Sequence, residues 1–566
     1  MQTEAKQTFP KSHDAPGPKK PQEAASPRES MNRSIRFWGI FVALCMIAFI
    51  CALDVAVITT ALPTITEAVG GGTQYVWIAN SFVVASAVVQ PLFSQLADVF
   101  GRRVPLAISL TLFLLGSGIA GGSFNAAMLI AGRTIQGIGA GGLYVLTDIV
   151  CCDLVPLRER GKYVGLMNSF SGVAAAIGPV IGGALAQHNW RWIFYMNLPI
   201  CGFAWLVFLA FMRMKTGQEA LAQQSTTQKL QRVDYLGSLI FIPSILALLL
   251  GLVMGGIQHP WSSWQIILPI VLGVVGWAVF HLQQSYFASW PSVPARLFQN
   301  RTSLTVYLLT FTSSVIVQQT AYFLPVYFQA VKGTSALTSG TNFLPFAIGT
   351  LAFAVVGGVM LSKFGAYRPI HAVSFALSAV GFGLFTILDG KSKPVAWVFF
   401  QLIASAGSGF TMATFLPAIM AALPESDVAT ATGAYGFIRT FGYIWGVSIP
   451  AVIFNSVVNS NLWTISDRNI QDSMRDGKAY AYASEIRTIH GATSESLRDE
   501  ISYVYIEGLK AIWWLGLGLS LASFLCVGFE KGLELRTELE TEYGINEVKR
   551  TEELGESGGE VGRPKA

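Results

Sequence analysis

Residues 171–183 read SGVAAAIGPVIGG, in which four glycines and one proline lie within an apolar segment, 163–186, long enough to cross a bilayer. Proline removes a backbone hydrogen bond and kinks a helix, which a membrane helix tolerates where neighbouring groups satisfy the freed carbonyl. The glycines recur at near-helical spacing, so a second helix can approach closely. The stretch therefore predicts a kinked, closely packed and bendable membrane helix, suited to a seam between two halves of a protein.

Apolar segments of similar length recur along the whole chain. Of the 566 residues, 52% are hydrophobic and 13% are charged, whereas soluble domains carry about 25% charged residues. Fourteen candidate spans lie at residues 37–63, 75–97, 104–122, 126–150, 163–186, 192–212, 235–255, 265–285, 302–330, 340–362, 369–389, 395–422, 430–457 and 511–529. We therefore predict an all-α integral membrane protein with about 14 transmembrane helices.

Two pairs of similar sequences indicate an internal repeat, a common feature of transporters. Residues 156–165 are similar to 424–433, and SQLADVFGRR (94–103) is similar to GVMLSKFGAY (358–367), at nearly equal offsets of 268 and 264. We expect two pseudo-symmetric six-helix bundles and two inserted central helices. The predicted units are a disordered tail (1–36), the first bundle (37–212), a linker with two extra helices (213–301), the second bundle (302–529) with an external loop (458–510), and a cytoplasmic tail (530–566).

Lys and Arg concentrate in alternate short loops, which predicts the orientation of the chain in the membrane. With the N-terminus in the cytoplasm, the short external loops contain Arg191, Lys332, Lys391 and Lys393. The cytoplasmic loops contain Arg102, Arg103, Arg158, Arg160, Lys162, Arg213, Lys215, Lys229, Arg232, Arg296, Arg301, Lys363 and Arg368. We expect both termini to be cytoplasmic. The external loop is expected to be solvated, with a partner-binding element as the alternative.

Three charged residues inside predicted spans stand out: Asp54, Arg133 and Arg439. A charge within the bilayer is costly and normally faces a partner or a wet cavity. Asp54 is a candidate for proton coupling, and the alternative is a permanently ionised partner of an arginine or a helix end. Arg133 cannot release its proton, so we expect it to influence a nearby acid or to bond to Gln136 and backbone carbonyls.

The sequence DVFGRR (98–103) predicts a charged turn between the second and third spans. Asp98 can face a helix N-terminus or the arginines that follow it, Arg102 and Arg103, and Gly101 permits a tight bend. We interpret this turn as a clasp that closes the cytoplasmic side in one conformation. A simple topology anchor is the alternative.

Polar and aromatic side chains inside the spans are candidates for lining a substrate cavity. An amide facing lipid would be left unpaired, whereas a single aromatic residue more often faces lipid or packs. The candidates are Gln90, Gln318, Gln319, Tyr322, Phe323, Tyr327 and Arg439. A cavity with few fixed charges suits a neutral or weakly polar amphipathic molecule.

The sequence gives little support for an enzyme. The six histidines form no H-x-x-x-D or H-E-x-x-H pattern, no Gly-rich loop with lysine is present, and the cysteines form no C-x-x-C spacing. We therefore expect no catalytic residues, no metal and no cofactor, and no basic face for nucleic acid. A receptor that does not transport is an alternative, but it leaves the intramembrane charges unexplained.

Four motifs resemble those of the major facilitator superfamily, in its order and spacing: ALDVAVITTALP (52–63), SQLADVFGRR, LIAGRTIQGIGAGG (129–142) and SGVAAAIGPVIGG. They are most similar to the fourteen-span drug:proton antiporters. The segments at 190–199, 322–345 and 430–442 are similar to fungal pumps that export toxins and other secondary metabolites. The resemblance covers about 37–457 and the last span.

This resemblance implies proton-driven efflux of small amphipathic molecules by alternating access, in the plasma membrane and as a monomer. A vacuolar or vesicle membrane is the alternative location, and a proton-coupled importer of a siderophore or nutrient is the alternative function. The resemblance assigns Asp98, Gly101, Arg102 and Arg103 to a gating turn, Arg133 and Gln136 to proton transfer, and Gly172, Gly178, Pro179, Gly182 and Gly183 to an antiporter motif. Ser94 departs from the glycine that usually begins the gating motif, and Ser362 stands in the second copy where Asp98 stands in the first.

Overall fold

The computed structural model describes residues 35–69, 75–211, 225–255, 259–475, 478–483, 486 and 495–536. This part of the chain is almost entirely helical, and its sheet-like pairing is one isolated bridge between Gly255 and His259. Of the predicted N-terminal tail, 1–36, residues 1–34 lie outside the described residues.

The first half of the chain forms a bundle of antiparallel helices. Its helices are α1 (Ile35–Ala68), α2 (Tyr75–Val88), α3 (Gln90–Phe100), α4 (Arg103–Gly121), α5 (Ala126–Leu154), α6 (Leu157–His188), α7 (Trp192–Tyr195) and α8 (Asn197–Phe211). Helices α2 and α3 meet at a bend of 44°, where Pro91 stands in the first turn of α3. Because proline cannot donate a backbone hydrogen bond, the second predicted span is broken at this point.

Two long helices follow and correspond to the predicted insertion. A short helix, α9 (Thr226–Leu230), precedes α10 (Tyr235–Met254) and α11 (Trp264–Tyr286). Asp234 caps α10 by accepting a hydrogen bond from the backbone of Gly237 at 2.8 Å, and it also accepts one from Gln283 of α11 at 3.2 Å. Gln95 of α3 accepts from the Asp234 backbone at 3.1 Å. These contacts fasten the inserted pair to the first bundle.

The second half forms another bundle. Its helices are α12 (Arg296–Gln299), α13 (Arg301–Val326), α14 (Ala336–Phe364), α15 (Tyr367–Phe385), α16 (Pro394–Met412), α17 (Phe415–Ala421), α18 (Val428–Asn461), α19 (Arg468–Met474), α20 (Ala479–Tyr482) and α21 (Glu495–Cys526). A π-helical turn, Tyr327–Val331, extends α13. Across the described residues, ten helices are long and apolar enough to cross a membrane, and α2 with α3 makes an eleventh. Helices α6, α8 and α13 occupy the other three predicted spans.

The two turns that the internal repeat relates both place a glycine at positive φ. Gly101 has φ of 78° and Gly365, 264 positions later, has φ of 70°, values that favour glycine. Their ψ angles differ, at 172° for Gly101 and 2° for Gly365. The repeat therefore keeps the need for glycine at this position, whereas the chain leaves the two turns in different directions.

The expectation of a solvated external loop at 458–510 needs correction. Helix α18 continues to Asn461 and the last helix begins at Glu495, so both helices extend into the predicted loop. Between them, Met474 is fully buried, and the hydroxyl of Tyr505 on α21 donates to the carbonyl of Ala479 at 2.6 Å. Apolar side chains spaced along this segment allow it to pack on the second bundle, which a count of its charges did not reveal.

The predicted cytoplasmic tail begins with a docked segment, residues 530–536, which we call the C-terminal strap. Glu530 is buried, and its carboxylate lies 2.9 Å from Nδ1 of His371, whose Nε2 lies 3.0 Å from the hydroxyl of Thr414. At the other end, the carbonyl of Arg536 accepts a hydrogen bond from the backbone of Arg158, in the first half, at 3.1 Å. The strap thus joins the two halves. Residues 537–566 lie outside the described residues.

We predict that His371→Ala lowers the melting temperature of the purified protein by several degrees. The substitution leaves the Glu530 carboxylate buried without its partner, which costs on the order of 3 kcal/mol. Thermal unfolding followed by tryptophan fluorescence measures the change, and Glu534→Gln, at an exposed position on the same strap, is the matched control. Equal melting temperatures for His371→Ala and the control would contradict the prediction.

Candidate functional site

Asp54 lies at the centre of a buried polar cluster in the first bundle. Its carboxylate forms an ion pair with Arg133 of α5, and its Oδ1 accepts hydrogen bonds from Gln136 and from Asn197 of α8, both at 2.7 Å. Arg133 and Gln136 are three positions apart and therefore share one face of α5. The structure thus brings together all three residues predicted for proton coupling, and it adds Asn197.

The cluster is enclosed by protein. Ser117 of α4 accepts from Gln136 at 2.8 Å, and the guanidinium of Arg133 lies 4.4 Å from the centre of the Phe82 ring. Helix α4 approaches so closely that a Cβ atom at Gly116 would lie 2.3 Å from the backbone nitrogen of Gln136. Asp54, Asn197 and Gln136 are each fully buried. The carboxylate of Asp54 is thus enclosed together with its partner Arg133.

Sequence reasoning missed Asn197 and Ser117. Asn197 is the one amide side chain in the sequence IFYMNLP at 193–199, and a lone intramembrane asparagine could have indicated a polar partner. Ser117 gave no such signal, because serine hydroxyls in helices commonly bond to their own backbone.

The predicted gating turn is an ion-pair network. Arg102 donates from Nε to Asp153 at 2.7 Å and from Nη1 to Asp98 at 3.2 Å, while Arg103 is exposed. The second oxygen of Asp98 accepts a hydrogen bond from the hydroxyl of Thr430, in the other half, at 3.1 Å. The structure therefore places the turn at a junction between the halves. We call the membrane end that contains Asp98, Arg102 and Arg160 the gate end.

Further contacts join the halves at the gate end. Arg160, which is buried, forms an ion pair with Glu425. Arg158 donates from Nε to the carbonyl of Ser362 at 3.0 Å and from Nη2 to the carbonyl of Lys363 at 3.0 Å. Ser362 occupies the position in the second copy that Asp98 occupies in the first. At this turn the second copy thus binds Arg158 through backbone carbonyls, whereas the acid that binds Arg160 is Glu425, elsewhere in the second half.

The antiporter motif in α6 contacts two different partners. A Cβ atom at Gly172 would lie 2.0 Å from Leu351 of α14, in the second half, whereas one at Gly178 would lie 2.4 Å from Ala56 of α1. The expected seam between halves therefore ends near Gly172, and beyond it α6 packs on the helix that carries Asp54. Gly182 is buried; the surroundings of Pro179 and Gly183 lie outside the described residues.

Close to Gly172 of α6, a cavity lies between the two halves. Val173 and Ile177, on α6 beyond Gly172, are 52% and 38% exposed. A central cavity of about 190 Å³ lies between α6 and helices α13, α14 and α18. We refer to this space as the central cavity throughout. Its lining includes Thr310, Ser313 and Ser314 as well as aromatic rings.

The predicted cavity residues are placed differently from one another. Arg439 lines the central cavity, together with Tyr435 and Tyr443, two residues that sequence reasoning missed. Gln90 is an interface residue, whose amide donates to Thr440 across the junction at 3.0 Å. Tyr322 is 38% exposed and lies beside Tyr480, with ring centres 6.2 Å apart.

The other candidates pack inside the second bundle and need correction. The amide of Gln319 donates to the carbonyl of Ile512 at 2.6 Å, and the hydroxyl of Tyr327 donates to the carbonyl of Asp389 at 2.9 Å. Phe323 packs against Phe454, and Gln318 lies against Gly446 of α18. Helix α13 presents another face, which includes Ser313 and Val317, to the central cavity.

Asp148 is a carboxylate that sequence reasoning also missed. It lies on α5 and is nearly buried, and its Oδ2 is 3.7 Å from Nη2 of Arg439 in the other half. Its place in the sequence TDIVCCD (147–153), close to a loop, hid its intramembrane position. For metals, no group of three or more His, Cys, Asp or Glu residues in the described part of the chain could hold an ion.

The chain was compared with known proteins. A family model described as the Major Facilitator Superfamily matches residues 44–447. The MFS efflux transporter aclA of Aspergillus oryzae is 43% identical over 534 residues, which cover 94% of this chain and 96% of the relative. The MFS-type efflux pump LUC4 of a Fusarium species is 43% identical over 538 residues, which cover 94% and 93%.

Among solved structures, that of the human organic anion transporter MFSD10 is similar with a TM-score of 0.57 and 14% sequence identity. The likeness covers 88% of this chain and 100% of that one. At this level of identity the similarity concerns the fold alone.

We predict that Thr430→Val shifts the protein toward a state in which the gate end is open. Loss of the hydroxyl that donates to Asp98 removes about 1 kcal/mol from the closed junction, or about a fivefold change in population. The opening is measured in a Ser94→Cys background, because position 94 is fully buried at the junction. The measured quantity is the rate at which a water-soluble thiol reagent labels this cysteine.

Thr432→Val is the matched control, because the hydroxyl of Thr432 donates to the backbone of its own helix, to Val428, at 2.6 Å. We expect labelling about fivefold faster with Thr430→Val and unchanged with Thr432→Val. Equal rates in the two variants would show that the Asp98–Thr430 contact does not hold the junction.

Proposed function

The chain belongs to the Major Facilitator Superfamily, and we propose that it is a proton-coupled efflux transporter that exports small amphipathic molecules, such as toxins or other secondary metabolites, by alternating access. The observation that carries the proposal is the buried cluster around Asp54. A titratable carboxylate is paired with a permanent cation, on a helix that packs directly on the antiporter motif at Gly178. The efflux direction is supported by the whole-length similarity to relatives that are named efflux pumps.

The gate end is the cytoplasmic end in this proposal. The loops rich in Lys and Arg lie there, and these favour the cytoplasm. With its gate end closed, the chain has the conformation that releases cargo outward. Fourteen spans, cytoplasmic termini, a monomeric state and a plasma-membrane location complete the proposal.

Proton binding at Asp54 supplies the coupling step. A proton that enters from the side opposite the gate end neutralises the carboxylate, and the Arg133 guanidinium loses its ion-pair partner. Helix α1 then becomes free to shift against Gly178 of α6, and that shift is transmitted along α6 to the junction at the gate end. When the gate end opens, the proton leaves to the cytoplasm and cargo enters the central cavity.

We predict that Asp54→Asn abolishes proton-driven export. Asparagine keeps an acceptor oxygen for Gln136 and Asn197, but it cannot exchange a proton in the accessible pH range. In a fungal host lacking its own copy of the transporter, the ratio of extracellular to intracellular secondary metabolites, measured by untargeted mass spectrometry, should fall at least tenfold relative to the wild-type chain. A protonophore should reduce the wild-type ratio to the same level.

The matched control is Asp472→Asn, the same substitution at a side chain that is 74% exposed, with equal membrane abundance verified by immunoblot. Export by Asp54→Asn that stays sensitive to the protonophore would overturn the assignment of the proton site. A higher intracellular content in cells that express the wild-type chain would instead identify an importer.

A further inference from the structure

The central cavity contains one fixed charge. Of the eighteen described residues that line it, Arg439 alone is charged, and none is a carboxylate. Arginine stays protonated in proteins. The cavity therefore presents a permanent cation to whatever enters it.

The ion pair of this cation with Asp148 is long. The nearest oxygen of Asp148 lies 3.7 Å from Nη2 of Arg439, beyond the 2.7–2.9 Å of a good charge-assisted hydrogen bond. Arg439 also forms a side-chain hydrogen bond with Tyr435, which itself lines the cavity. The side chain of Arg439 is 16% exposed, whereas that of Asp148 is 5% exposed. A guanidinium has five N–H donors, so the long pair with Asp148 and the bond with Tyr435 leave donors for a molecule in the cavity.

The surroundings of Arg439 suit an amphipathic anion. The rings of Tyr435 and Tyr443 flank it on the same helix, and hydroxyl groups of Ser313 and Ser314 lie on the facing helix α13. Most of the remaining lining is apolar and includes Phe343, Phe346, Leu351 and Phe415, while Thr310, Thr350 and Ser408 add further hydroxyl groups. A molecule with one ionised oxygen and an apolar body can satisfy both regions together, whereas a cation would be repelled.

We propose that the central cavity binds weakly acidic amphipathic molecules as their anions, with the ionised oxygen on the guanidinium of Arg439. This proposal rests on the proposed efflux function and narrows its cargo, since the sequence had suggested a neutral molecule. The bound anion competes with Asp148 for Arg439. Because these two residues belong to different halves, cargo binding also weakens a contact across the junction.

Two probes of the same shape test the proposal: naphthalene-1-acetate, which is an anion at neutral pH, and naphthalene-1-acetamide, which is neutral. Binding of each radiolabelled probe to the purified full chain in lipid nanodiscs is measured at neutral pH. The wild-type chain should bind the carboxylate at least tenfold more tightly than the amide. Equal affinities, or no measurable binding of the carboxylate, would overturn the proposal.

Substitutions at the pair then assign the preference to Arg439. Arg439→Gln should weaken carboxylate binding at least tenfold and change amide binding less than twofold, and Arg439→Lys, which keeps a point charge, should retain part of the preference. Asp148→Asn removes the competing anion, so carboxylate affinity should rise about threefold while amide affinity stays the same.

If the Arg439–Asp148 pair had a purely structural role, Asp148→Asn and Arg439→Gln would each weaken the binding of the carboxylate and of the amide alike. Melting temperatures of all variants verify folding. The two proposals also fail separately: Asp54→Asn should lose export yet keep wild-type carboxylate binding. A wild-type chain that exports metabolites without preferring the carboxylate would refute the anion site alone.

Discussion

The ion pair between Asp54 and Arg133 is the interaction on which the rest of the first bundle depends. An ionised carboxylate inside a bilayer is stable only where a cation and hydrogen-bond donors surround it, and here two helices, α5 and α8, supply them. Helix α4 closes the cluster through Ser117, which accepts from Gln136. That enclosure requires close approach, which the missing side chain at Gly116 permits. In the proposed mechanism, a change in the charge of Asp54 therefore acts on the packing of α1.

The gate end is built on a different principle from the Asp54 cluster. Its contacts across the halves are single hydrogen bonds and ion pairs, such as Thr430 with Asp98 and Arg158 with the carbonyls of Ser362 and Lys363. Each contributes little to stability, since the partners can exchange to water. Apolar packing accompanies these polar contacts, because Cys152 and Leu157 of the first half belong to the same buried cluster as Leu361 and Met420 of the second half.

The sequence allowed prediction of whatever depends on local pattern or on the physics of the bilayer. The helical segments, the turn at Asp98 and the proximity of Arg133 and Gln136 to an acid follow from span length, glycine position and the rarity of intramembrane charge. The direction in which a helix faces does not follow. Gln319 was expected in a cavity because lipid cannot pair its amide, but a carbonyl of α21, at Ile512, pairs it instead. The partners of Asp148 and Asn197 became visible only when distant helices were brought together.

Helix α6 explains why a helix-breaking motif belongs in a protein of this kind. Its gate-end part, through Gly172, packs on the second half, and beyond that point Gly178 packs on α1, two positions after Asp54. One helix therefore contacts both α1, close to Asp54, and the other half, at sites about one and a half turns apart. A Cβ atom at either glycine would overlap with its partner helix, so a larger side chain would force α6 away from that partner. In the proposed mechanism, small residues at both positions allow α6 to transmit a shift of α1 to the junction between the halves.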